Sequence, residues 1–116
     1  MTLHEAALAA ARATNYQGGS AMALANLGLA SANLGDDARA ADLFDACLHL
    51  VREIKAPILE ARALELQGRA CLLGGRREEA VDVLGRSLAV YRSLRLEHAA
   101  ATIEGLLREA EAVEAE

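Results

Sequence analysis

Three histidines (His4, His49 and His98), two cysteines (Cys47 and Cys71) and four serines (Ser20, Ser31, Ser87 and Ser93) are the side chains here that could ligate a metal or attack an electrophile. Metal ligation needs such groups at turn or helix spacing, and the chain has no His-Glu-x-x-His, no Cys-x-x-Cys and no carboxylate cluster beside a histidine. Nucleophilic catalysis by serine needs a positioned base and commonly a Gly-x-Ser-x-Gly elbow, which none of the four serines has. The Gly18-Gly19 and Gly74-Gly75 pairs are not followed by the Gly-Lys-Ser/Thr of a phosphate loop, and they read as turns that end helices. These absences predict a protein that is not an enzyme and needs no metal or cofactor. Cys47 and Cys71 fall within apolar stripes and are expected to be free, buried and hydrophobic in character. Arg76-Arg77-Glu78-Glu79 spans a turn and a helix start, where all four charges can stay solvated.

The chain has 116 residues, enough for one small domain. Hydrophobic residues make up 53% but aromatics only 3%, with Phe44 the single phenylalanine and no tryptophan. Its core must therefore be aliphatic and rich in alanine, which implies closely spaced backbones. Alanine and leucine favour helix, and β-branched residues never form a run, so the fold class is all-α. A formal net charge of -5 argues against nucleic acid and anionic membrane as partners. Apolar runs such as Ala6 to Ala11 fall short of the roughly 18 residues of a membrane span, and the N-terminus lacks the basic segment of a signal peptide. The expected location is the cytoplasm.

Turn-forming residues recur along the chain at Gly18-Gly19-Ser20, Leu34-Gly35-Asp36-Asp37, Ala56-Pro57, Gly74-Gly75 and the polar stretch from Arg95 to Glu97. Between them apolar residues recur at three and four, as in Leu24, Leu27 and Leu34, or Leu43, Cys47, Leu50 and Ile54. The spacing predicts about six helices, over 2–14, 20–34, 37–54, 57–73, 76–94 and 97–114. Thr2 with Glu5 has the pattern of a capping box, Ser20 and Asp36 or Asp37 are candidate caps, and Pro57 suits a first helical turn.

Shifting the sequence by 40 residues aligns Ala21, Ala23, Leu24, Gly28, Ala30, Gly35, Ala40, Asp42, Leu48 and Arg52 with identical residues at 61, 63, 64, 68, 70, 75, 80, 82, 88 and 92. One unit is then a helical hairpin that turns at Gly35 or Gly75, and stacked hairpins bury the apolar face that each leaves open. Gly28 and Gly68 lie mid-helix, where glycine costs about 1 kcal/mol against alanine, so a close helix contact must offset that cost. Ala40 and Ala80, early in the second helices, are expected to stay small for the same reason.

At these residues the chain resembles the tetratricopeptide repeat family. Ala21, Ala23, Asn26, Leu27, Gly28, Ala30, Gly35, Asp36, Ala40, Phe44, Leu48 and Leu50 match its motif in the first unit, and Ala61, Ala63, Gly68, Ala70, Gly75, Glu79, Ala80 and Leu88 match in the second. Leu84 replaces the motif's aromatic and Gln67 its leucine; Leu24, Ser31, Leu64 and Cys71 stand where bulky aromatics are usual, and the closing proline is missing. Armadillo and HEAT repeats have a similar period but are not expected to show Leu-Gly and Gly-Asp at this spacing. A period of 40 rather than 34 resembles the longer repeats of bacterial signalling ATPases and transcription regulators, and it implies a lengthened second helix and return.

The resemblance implies a right-handed solenoid of antiparallel helical hairpins. Residues 2–14 would be the second helix of a partial repeat, 20–54 and 57–94 two full repeats, and 97–114 a capping helix, with Arg108 in place of the family's glycine. It also implies a concave face lined by the first helices, which binds a protein or peptide partner. The matching contact positions are Met22, Ala25, Leu29, Ala32 and Asn33, then Arg62, Glu65, Arg69, Leu72 and Leu73. An apolar anchor on Met22 and Leu29 with a carboxylate held by Arg62 and Arg69 would suit this stripe, whereas ion pairs among Arg62, Glu65 and Arg69 would leave it a solvated helix face. Self-association through the terminal helices and a role as structural spacer in a larger regulator are the alternatives.

Overall fold

The computed structural model describes residues 5, 6 and 17–115. Five helices follow one another in this stretch: α1 (Gln17–Asn33), α2 (Asp37–Glu53), α3 (Pro57–Leu73), α4 (Arg77–Ser93) and α5 (Glu97–Ala115). No strand occurs among the described residues. The segment expected over 2–14, with its capping box at Thr2, lies outside them except for Glu5 and Ala6, which are helical.

The helix starts are spaced by one constant interval, and the links between helices are equally short. Each link places its second residue in the left-handed region: Gly35 at φ 81°, Lys55 at 53°, Gly75 at 73° and Arg95 at 58°. The same two hydrogen bonds close all four links. The Gly35 amide donates to the Ala32 carbonyl and the Asp36 amide to that of Ser31, with matching bonds at 55 and 56, 75 and 76, and 95 and 96. This is the double closure of a Schellman motif, which satisfies carbonyls that a helix end leaves free. The expected longer second helix is therefore corrected. First and second helices of each unit both run 17 residues, because the return from α2 to α3 uses the same tight link as the hairpin turn.

Two of the helix starts follow the expected local chemistry. Asp36 Oδ1 accepts from the Arg39 amide at 3.2 Å to cap α2, and Pro57 occupies the first turn of α3, where its missing N–H costs nothing. Gly18-Gly19, expected as a turn with Ser20 as cap, instead lies within the first turns of α1, and Ser20 is buried. Leu34, expected on an apolar face, falls just past the end of α1 and is 85% exposed.

Packing inside each hairpin turns on the two mid-helix glycines. A Cβ on Gly28 would lie 3.0 Å from the Phe44 ring, and one on Gly68 would lie 2.4 Å from Leu84 Cδ2. Phe44 and Leu84 are fully buried at these contacts, and the approach is the tighter at Leu84. Ala40 and Ala80 are buried at the same hairpin interfaces, and Ser87 donates a buried hydrogen bond of 2.7 Å from α4 to the Ala61 carbonyl of α3. Between units, α1 and α2 pack on α3, and α5 packs chiefly on α4 and only at its margin on α3, while α2 and α4 make no close backbone approach. α1, α3 and α5 line one side of the stack, its inner side, where a cleft lies between all three.

Two predictions follow from this backbone. In contrast to Gly68, Gly85 is exposed in α4 and a Cβ there would meet nothing within 4 Å. Gly85→Ala is expected to stabilise the fold by about 0.5–1 kcal/mol through helix propensity, whereas Gly68→Ala destabilises by about 1–3 kcal/mol through overpacking; urea denaturation of the two variants measures both signs. Lys55→Gly removes a side chain from a left-handed residue and should raise stability by about 1 kcal/mol, visible as a melting temperature a few degrees higher.

Candidate functional site: the inner face of the first helices

Two clefts open along the concave side. One, of ≈ 350 Å³, lies at the C-terminal ends of the first helices, between Leu29 and Asn33 of α1, Arg69, Leu72 and Leu73 of α3, and Leu106 and Glu109 of α5. Its walls are mainly aliphatic, and Leu73 is 57% exposed. The other, of ≈ 530 Å³, lies at the opposite end of α3. Arg62 and Glu65 form one side, His98, Ala99 and Thr102 of α5 the other, and Tyr91 with the α4–α5 link, including Arg95, closes the base.

The structure brings Leu29, Asn33, Arg69 and Leu72 together in the first cleft and Arg62 and Glu65 in the second. Met22 is half-buried and lines neither. Ala25 is corrected: it is fully buried in the packing of α1 and offers no surface to a partner, and Ala32 is buried too. The arginine fork is corrected as well. Arg69 Nη2 sits 3.0 Å from Glu65 Oε2, while the Tyr91 hydroxyl donates to Glu65 Oε1 at 3.3 Å. Arg69 is therefore taken by its own helix, whereas Arg62 is exposed and has no ion pair among the described residues.

Sequence reasoning missed the α5 half of both clefts because it carried the register to Arg108 but drew the contact positions only from the helices at 20–34 and 57–73. The same 40-residue step applied to the contact positions finds it: Thr102 follows Met22 and Arg62 in register, and Glu109 follows Leu29 and Arg69. Arg95 carried a weaker signal, since nothing in a non-glycine residue announces a left-handed link.

The remaining reactive side chains are quiet. Cys47 and Cys71 are free and buried. Burial pushes the Cys47 thiol up from 9.0 to about 11, and burial followed by the nearby Glu79 carboxylate raises Cys71, so both stay protonated at neutral pH. Ser87 and Ser93 donate to the carbonyls of Ala61 and Val90. No group of three or more His, Cys, Asp or Glu among the described residues is placed to hold a metal ion. No described helix is long and apolar enough to cross a membrane. Comparison with models of known protein families and with curated protein sequences returns no match for this chain.

These buried groups set an alkaline limit on stability. Tyr91, buried and beside the Glu65 carboxylate, is raised from 10.0 to about 12. A raised pKa in the fold means that stability is fully present below the ordinary value and is lost as pH climbs toward the folded one. The urea midpoint should hold from pH 7 to about 9 and fall between pH 9 and 12, with Cys47→Ala flattening the fall between pH 9 and 11.

Proposed function

We propose that this chain is an interaction module of the tetratricopeptide type, which holds a segment of a partner protein along the inner face of α1, α3 and α5. The observation that carries the reading is the aliphatic cleft at Leu29, Leu72, Leu73 and Leu106, because it draws on all three first helices and leaves Leu73 more than half exposed. A surface of this kind gains from covering its apolar groups, about 25 cal/mol for each Å² removed from water. The 40-residue sequence register, the glycines at the hairpin contacts and the concave stacking support placing it with the longer-period members of that family, working in the cytoplasm of a bacterial cell.

Self-association through the terminal helices has less to rest on. The side of α5 in register with the hairpin faces of α1 and α3 carries exposed Ala101, Arg108 and Glu111, which is a poor seat for a second copy.

The test is selection of twelve-residue peptides from a random display library on the immobilised chain. Selected peptides should lose about tenfold or more in affinity on Leu73→Asp and little on Ile58→Asp, since Ile58 is 51% exposed but lines neither cleft. Failure to select any peptide, or equal loss in both variants, refutes the groove. Light scattering over a hundredfold concentration range should give the monomer mass; a stable dimer would instead favour self-association.

A further inference from the structure

Gln67 stands in the 40-residue register of Leu27 and Leu107, so an amide occupies a position that is aliphatic one step before and one step after. Leu27 is buried and Leu107 packs partly buried against the core. Gln67 instead lines a cavity of ≈ 130 Å³ at the junction of the two units, away from the inner face. Ala40 of α2, Ala70 and Cys71 of α3, Arg76 of the α3–α4 link and Glu79 of α4 line it too. Two buried side-chain polar atoms find no hydrogen-bond partner among the described residues, Gln67 Oε1 and Arg76 Nε, and both belong to residues of this one cavity. Arg76 Nε lies 3.3 Å from Glu79 Oε2, but the pair lacks the alignment of a hydrogen bond. The Cys71 sulfur, 4.0 Å from Arg76 Nη2, is a weak acceptor and meets a different nitrogen. A buried donor or acceptor left unmet carries its full desolvation cost, and folded proteins meet such groups with internal water where there is room.

We propose that this cavity is a hydration site built into the junction of the two units, holding long-lived water that donates to Gln67 Oε1 and accepts from the Arg76 Nε–H. The volume suffices, since one water takes about 30 Å³ in the liquid, and the site asks for one donor and one acceptor, which a water supplies together. Charge points to the same ligand. The Arg76 guanidinium disfavours a cation, and the carboxylates of Glu79 and Asp37, at 3.3 and 3.5 Å from it, disfavour an anion. A small neutral molecule with both hydrogen-bonding roles remains. Turning the Gln67 amide over would put a donor in place of its oxygen and leave Arg76 Nε still in need of an acceptor, so water serves either orientation. The meeting point of α2, α3 and the α3–α4 link is thus closed in part through water, and Gln67 and Arg76 act through it as one network. This site does not depend on what the inner face binds.

The test is water-selective NMR on the full chain labelled at its alanine methyl groups, which do not exchange with solvent. Ala40 and Ala70 are both 1% exposed and line the cavity, so their methyls report on water inside it. Ala63 is fully buried and lines none of the clefts or cavities described above, and it serves as the silent control. Ala40 and Ala70 should show cross-relaxation with water of the sign that marks a molecule held on the protein. That signal should vanish in both Gln67→Leu and Gln67→Met, which remove the amide and keep the circular dichroism spectrum of the parent. Absence of the signal in the parent overturns the proposal. So does its persistence in either variant, because magnetisation relayed from the Cys71 thiol or the Arg76 guanidinium survives these substitutions and water held by Gln67 does not.

Discussion

The stack depends on how closely the two helices of a hairpin approach at Gly28 and Gly68. Each glycine receives a large side chain from sixteen residues later, Phe44 in the first unit and Leu84 in the second, and these two fill the centre of each hairpin. The helix loses about 1 kcal/mol of propensity at each glycine, while burying an aromatic or leucine side chain contributes about 1.5–3 kcal/mol, so the exchange favours the contact. Ring and branched chain are not interchangeable in shape, and the second unit comes closer at its glycine than the first does. With the hairpins fixed in this way, alanines at 21, 40, 61 and 80 can be buried at the same interfaces without a spacer between backbones.

That constraint was legible because glycine and alanine are informative when they recur at a fixed interval. The 40-residue register located both hairpins and both glycine turns, and the family resemblance pointed to the inner stripe, of which Leu29, Asn33, Arg69 and Leu72 meet at one cleft. It could not reveal that the backbone repeats twice as often. At Lys55 and Arg95 the left-handed link is built by long basic side chains, which carry no turn signature, so the return looked like a looser connection than it is. Gly18-Gly19 misled in the opposite direction. A glycine pair ordinarily marks a break, yet here α1 begins before it. The error at Ala25 has a different origin, since a stripe drawn on a helical wheel does not say where the neighbouring helices lie, and Ala25 turns into the packing rather than onto the groove.

The inner face is shared by α1, α3 and α5, all of which line the cleft at Leu29, Leu72 and Leu106, while α2 and α4 make no close backbone approach to one another. On the outer side Arg76, in the α3–α4 link, reaches Asp37 of the preceding unit at 3.5 Å and Glu79 of α4 at 3.3 Å. Such a partly exposed ion-pair bridge contributes little to stability, so the units are held together chiefly by the packing of α1 and α2 on α3 and of α5 on α4.

Arg108 stands in the register of Gly28 and Gly68 and is exposed on α5, where those glycines instead receive Phe44 and Leu84. Glu104, in the register of Leu24 and Leu64, pairs with Arg92 at 3.3 Å instead of entering a core. With its hairpin side given over to solvent, α5 keeps its apolar residues for the previous unit and the inner face: Ala100, Ile103 and Ala110 are buried, and Leu106 packs half-buried at the cleft. α5 therefore lends residues to both clefts of the inner face, Leu106 and Glu109 to one and His98, Ala99 and Thr102 to the other.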